Sequence, residues 1–183
     1  MIRVGSQFTF CSPENILKRT VVEQDEQHII TGFSSLEDGN VETAQTLFFD
    51  GILSSEIVSV KQNLPAKDRS NLSKKYQYYD FSESLPSFEI KQTNKPLIMD
   101  TGANSPDKVN ILLPHLFRAL TDFSIFDIIA AFTYYPSLLL GERAGLTENY
   151  STRLLLWENV DLAEKKLSNN TFVREINQLG QIF

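Results

Sequence analysis

The chain holds two histidines and one cysteine, and that scarcity limits the chemistry open to it. His28 falls in a stretch that reads as β-strand and His115 in one that reads as helix. Each stands alone, as exposed or core-edge histidines do, and a lone histidine seldom makes a site. Cys11 alone allows neither an intrachain disulfide nor a Cys-based metal site, and it reads as a buried thiol. Paired with His28 or His115 it carries no nucleophile–base signature. Asp100-Thr101-Gly102 follows an apolar strand and could supply one carboxylate of a proton-sharing pair. A second copy is absent, so only a homodimer could complete that pair. The glycines are isolated, and no phosphate-cradling loop is legible.

The rest of the composition is that of a globular protein. The 183 residues are 42% hydrophobic and 11% aromatic, 13 of them Phe. That suffices for one domain with a real core or for two small lobes. A net charge of -6 and a pI near 5.0 argue against a nucleic-acid partner. The basic residues look scattered, and the densest run, Lys74-Lys75, reads as a solvated face. No apolar run approaches a membrane span of ~18 residues, and the N-terminus lacks the pattern of a signal peptide. The expectation is a soluble cytoplasmic protein that contacts no membrane.

Elements follow from period and punctuation. Residues 1–10, 16–25, 27–36, 44–54 and 56–60 read as strands, with turns at Cys11–Asn15, Asp25-Glu26 and Leu36–Gly39. Short strands on tight turns predict an antiparallel sheet. Residues 61–96 show no sustained period and read as a connector, with a short strand at Ser87–Lys91. The aromatic run Tyr76–Phe81 inside it is expected to close over a core. After a strand at 96–101, Ser105-Pro106 signals a helix start. Val109, Leu112, Leu113, Leu116, Phe117 and Leu120 repeat at helical spacing, and Pro114 should bend or split that helix. Ser124 with Asp127 is similar to a capping box, and Gly141 is a natural stop. Residues 152–161 form an apolar strand. A turn at Asn169-Asn170 leads into the last strand.

Three stretches carry a family likeness. Residues 48–60 read "FFDGILSSEIVSV", residues 94–112 "NKPLIMDTGANSPDKVNIL" and residues 132–161 "FTYYPSLLLGERAGLTENYSTRLLLWENVD". In this order they resemble the amidohydrolase superfamily, in its cytosine-deaminase and chlorohydrolase-like branch. Members pair a metal-bearing (β/α)8 barrel with a small β-sandwich built from N- and C-terminal strands. In the first stretch Asp50-Gly51 and Ile57-Val58-Ser59 fit the family's entry to the barrel, with Ser55-Glu56 where Pro-Gly is usual. The two ligand histidines of the family then fall on Lys61 and Asn63. The second stretch is similar to the last barrel strand, whose metal-binding aspartate falls on Thr101, or on Asp100 with a slip of one residue. In the third, Thr133, Pro136, Leu139, Leu140, Gly141, Gly145 and Glu148 match the family's helix end and the run beyond it, while Asn149-Tyr150 replaces Pro-Gly.

What the resemblance implies is an α+β fold. Residues 1–60 and 150–183 would form the composite β-sandwich, and residues 61–149 the connector and helices left from the barrel. A barrel needs about 250 residues, so most of its strands are missing. A lysine at 61 repels a metal and Asn63 is a weak neutral donor, so neither metal nor other cofactor is expected. The expected function is that of a degenerate, non-catalytic amidohydrolase-like protein with a binding or assembly role. A homodimer would re-cover the face that the barrel left, and no small-molecule ligand is legible. The alternative is a metal-dependent hydrolase acting on C–N bonds, its site rebuilt around Lys61 and Asp100 or completed by a partner chain.

Overall fold

β1 (Ile2–Ser12) and β2 (Asn15–Gln24) form an antiparallel hairpin around Pro13-Glu14, and β3 (Ile30–Ser35) adds antiparallel to β2. A 3-10 turn at Leu36–Asp38 follows. The chain then returns as β4 (Thr46–Ser54) on the far side of β1, and parallel to it. The computed structural model describes residues 1–38, 46–69, 71–83, 85 and 90–177. Gly39, residues 44 and 45 and most of the strand expected at 87–91 lie outside them.

Residues 56–60 do not form the expected strand. Their hydrogen bonds go to single partners rather than to a ladder. Val58 N donates to the Phe132 carbonyl at 3.0 Å, and Ser59 caps the one-turn helix α1 (Val60–Asn63). Nor is the connector without structure. It contains α2 (Ala66–Arg69), a 3-10 turn at Leu72–Lys74 and β5 (Gln77–Asp80), which pairs in parallel with β6 (Leu97–Asp100). The aromatic run holds that strand. Tyr79 and Phe81 stack at 5.9 Å and pack on the main core, whereas Tyr76 and Tyr78 pack around Val60, Leu72 and Ile98.

α3 (Pro106–Ala119) starts at the expected Ser-Pro and buries Val109, Leu112, Leu113 and Leu116. Phe117 is 40% exposed, off the buried stripe. The helix is not split at Pro114. The proline is on the exposed side, where water can serve the carbonyl that it leaves unbonded. α4 (Ile125–Phe132) carries the full capping box between Ser124 and Asp127. A break at Thr133 separates it from α5 (Tyr134–Leu139). Pro136 explains the break, because it has no N–H to offer Phe132. The Phe132 carbonyl takes Val58 N instead, which ties 56–60 to the helices.

β7 (Leu154–Glu158) and β8 (Phe172–Ile176) close the chain as a hairpin with the expected turn at Asn169-Asn170. β7 pairs with β4, so N- and C-terminal strands share one six-stranded sheet, in the order β3-β2-β1-β4-β7-β8. The sheet is mixed, not wholly antiparallel, because β4 crosses to the far edge of β1. It also curls. Residues 149–152 reach back to the start of β3, with Ile30 N donating to the Tyr150 carbonyl and Asn149 N to that of Ile30. Val4, Val22, Ile30, Leu53, Leu156 and Ile176 fill the inside of the roll.

The outer face receives the helices. Phe10, Ile52, Leu155, Trp157 and Val173 pack with α3 and α4 in one cluster, where Phe132 lies 6.2 Å from Trp157. Val4 and Phe10 stand an even number of positions apart, which in an unbroken strand puts them on one face. They lie in different cores. Between them Arg19 on β2 takes φ 45°, and the register of β1 against β4 shifts between Ser6 and Phe8. This irregularity turns the strand over, so β1 serves both cores. The fold is α+β. No helix among the described residues is long and apolar enough to cross a membrane.

Candidate functional site

The sequence candidates Lys61 and Asp100 meet where the parallel strands β5 and β6 end and α1 begins. Asp100 is the last residue of β6 and is 1% exposed. Buried carboxylates need partners, and this one has four donors. Oδ1 accepts from Ser59 Oγ at 2.8 Å and Gly102 N at 2.8 Å. Oδ2 accepts from Lys61 N at 2.6 Å and Tyr78 Oη at 3.1 Å. Ser59 N donates to Asn104 Oδ1 at 2.6 Å, which ties the loop after β6 to the same point. Gly102 closes that loop at φ 73°, and a Cβ there would lie 2.7 Å from Ser82 Cβ. Burial, with Asp100 beside it, pushes the Tyr78 hydroxyl well above its ordinary value, so it stays a donor.

Lys61 turns its side chain away from Asp100. Nζ donates to Ser82 Oγ at 2.6 Å and to Glu83 Oε1 at 3.1 Å, and it pairs with Asp80 Oδ2 at 3.4 Å. The Glu83 hydrogen bond raises the Lys61 pKa; desolvation opposes it and Asp80 adds to it. For Asp80, desolvation pushes upward, yet the hydrogen bonds from Ser82 and the Lys61 charge outweigh it and hold the carboxyl below its usual range. The pair is therefore an ammonium and a carboxylate across the neutral range.

These residues do not fit a divalent metal. The Asp100 oxygens face four hydrogen-bond donors where a metal would need free lone pairs. Asn63 Nδ2 donates to the Ser59 carbonyl at 2.9 Å, and Thr101 Oγ1 donates to the carbonyl of Ala103 at 2.9 Å. Lys61 adds a positive charge. Among the described residues, no three His, Cys, Asp or Glu side chains converge as a metal site requires. Nor do the remaining sequence candidates join the site. His115 is exposed on α3, and His28, at φ 61°, lies in the turn before β3. Cys11 is buried in the roll, where burial pushes its thiol up to about 11.

A groove of about 230 Å³ opens beside the cluster, between Ser82, Glu83 and Thr101 on one side and Leu85, Lys108 and Ile111 on the other. Sequence reasoning missed Ser59, Tyr78, Asp80 and Asn104. Tyr78 and Asp80 had a signal, since an aromatic, alternating run ending in Asp can be read as a strand whose last residue faces the site. Ser59 and Asn104 had none, because their roles exist only once two distant segments meet. No family model, curated protein or solved structure matches this chain.

Proposed function

We propose that the chain is a barrel-less relative of the amidohydrolases in which the former metal site has become a structural joint, and that it works by binding or assembly rather than by catalysis. The observation that carries this reading is the saturation of Asp100. A carboxylate holding four donors has no lone pair left for a metal or for a proton in transfer. Lys61 supports it, because a basic or nucleophilic lysine needs a lowered pKa and this one is raised. The sheet shared by N- and C-terminal strands supports this reading, although it is one six-stranded sheet where the resemblance implies a sandwich.

Assembly is supported by apolar surface that the fold leaves uncovered. On α3, Ile111 is 60% exposed and Phe117 40%. A second copy covering these positions would make a homodimer, to be read by light scattering. The decisive experiment on catalysis is metal analysis of the purified protein together with an amidase and deaminase assay. Substoichiometric metal and no turnover are expected. Stoichiometric zinc or iron with turnover of a C–N bond would restore the hydrolase built on Lys61 and Asp100.

A further inference from the structure

The basic residues, which look scattered, are in fact spread unevenly along this acidic chain. Residues 61–96 hold seven of its 17 basic residues and only four of its 23 acidic ones. The fold gathers part of that charge. Lys74 and Lys75 end the 3-10 turn that leads into β5, and Lys91 and Lys95 lie on the loop that leads into β6. Because the two strands run parallel, both approaches are at the same end of the pair. Specific bonds fix the loop there. Lys95 Nζ donates to the Ser73 carbonyl at 2.7 Å, which brings its ammonium beside Lys74. Gln77 N donates to the Pro96 carbonyl at 2.9 Å, and Gln77 Nε2 to that of Lys91 at 2.9 Å.

All four lysines are exposed, and among the described residues none is in an ion pair. Of the four acids in that segment, Asp80 and Glu83 are at the opposite end of the strands and hold Lys61, Asp68 is on α2, and Glu89 lies outside the described residues. Lys95 also borders a dent of about 210 Å³ between its loop and the start of α4, floored by Pro96, Leu97, Phe123 and Tyr135. That is below the roughly 300–1,000 Å³ of pockets that enclose whole small molecules. It suits one apolar side chain.

We propose that this end of the β5–β6 pair docks a short acidic peptide carrying one large apolar residue, its carboxylates on the lysines and its apolar side chain in the dent. The dent favours a peptide over a nucleic acid or an anionic membrane. Asp127 lines it and would repel a phosphate, whereas an apolar side chain leaves the Ser124 bonds to that carboxylate untouched. The net charge of -6 repels a long polyanion beyond the four lysines. The inference does not depend on descent from a hydrolase.

Fluorescence anisotropy of a fluorescein-labelled oligoglutamate, with and without a central phenylalanine, tests it on the full chain. The phenylalanine peptide should bind several-fold more tightly, and its affinity should fall as salt is raised. K74E/K75E should weaken it about tenfold, whereas K74R/K75R should not. These positions are exposed, and a thermal melt checks that each variant is folded. The proposal is overturned if neither peptide binds, if K74E/K75E binds as the parent does, or if the phenylalanine makes no difference. Tighter binding of oligothymidylate or of phosphatidylserine vesicles would also overturn it, assigning the lysines to a phosphate surface instead.

Discussion

Lys61 gives its backbone amide to one acid and its ammonium to another. The amide lies 2.6 Å from Asp100 Oδ2, and Nζ lies 3.4 Å from Asp80 Oδ2. The two carboxylates end neighbouring strands at paired positions, so one residue of α1 is fixed to both. The amide hydrogen bond ends on a buried carboxylate, whereas both side chains of the ion pair are partly exposed. The energetic weight therefore lies on Asp100, since partly exposed pairs contribute little.

Asp100→Asn tests that weight. The amide nitrogen of asparagine would face one hydroxyl, which can turn to accept from it, and one backbone N–H, which is left without an acceptor. A buried unsatisfied donor costs about 1–3 kcal/mol, so a loss of that size is expected in urea unfolding, and more for Asp100→Ala. An unchanged midpoint would mean that water replaces the carboxylate and that the joint is not structural.

The ion pair should show in the pH dependence of stability. The Asp80 pKa is lowered in the folded state. Its contribution is thus complete above the unfolded carboxylate value of about 3.9 and is lost as pH falls through the lower folded value. The Lys61 pKa is raised, so its contribution is complete below the unfolded value of about 10.4 and is lost as pH rises through the folded one. Melting temperature against pH should therefore show both limbs in the parent. Asp80→Asn should flatten the acid limb and shrink the alkaline one, while changing the neutral range by less than about 1 kcal/mol.

The parts of this fold that were legible are those decided by neighbours in sequence. Ser124 and Asp127 state their capping box within four residues, and the stripe from Val109 to Leu116 states its buried face. The segments misread were decided at a distance. Residues 56–60 have the composition of a strand, but the carbonyl freed by Pro136 takes Val58 N and Asn104 takes Ser59 N. The parallel placement of β4 depends on a crossover that no local pattern records. At the site, Asp100 and Lys61 were found as types and positions. Ser59, which helps to neutralise the chemistry of Asp100, was not, because nothing near it in the chain announces a buried carboxylate, and the signal at Tyr78 was that of a strand, not of a partner for Asp100.

If the joint has replaced the metal site, restoring histidines should not restore metal. K61H/N63H puts at 61 and 63 the two histidines that the proposed ancestry would have there. The Asp100 carboxylate would still be held by Ser59, Tyr78, Gly102 and the amide of residue 61, because that amide survives the substitution. Metal analysis after zinc incubation and desalting should find well under one equivalent. Binding of a full equivalent would show that the joint opens readily, and would count against its structural role.

Another long-range joint is the contact of Gly145 with Cys11, and it can be read through the thiol. Gly145 takes φ 78°, and a Cβ there would overlap the Cys11 carbonyl oxygen. The Cys11 thiol is buried, with a pKa moved from 9.0 to about 11. At pH 8 that leaves about a hundredfold fewer thiolates than in a free thiol, and burial blocks the reagent as well. Labelling by a thiol reagent should therefore wait for opening of the roll. The sign on stability follows: above about pH 9 the unfolded state ionises first, so this thiol makes the protein less stable as pH rises toward 11. Gly145→Ala strains the backbone and forces the carbonyl aside, at a cost of several kcal/mol by the overpacking and left-handed terms together. Cys11 labelling at pH 8 should rise by about tenfold or more in the variant. Equal rates in both proteins would place the opening that exposes Cys11 elsewhere than at this turn.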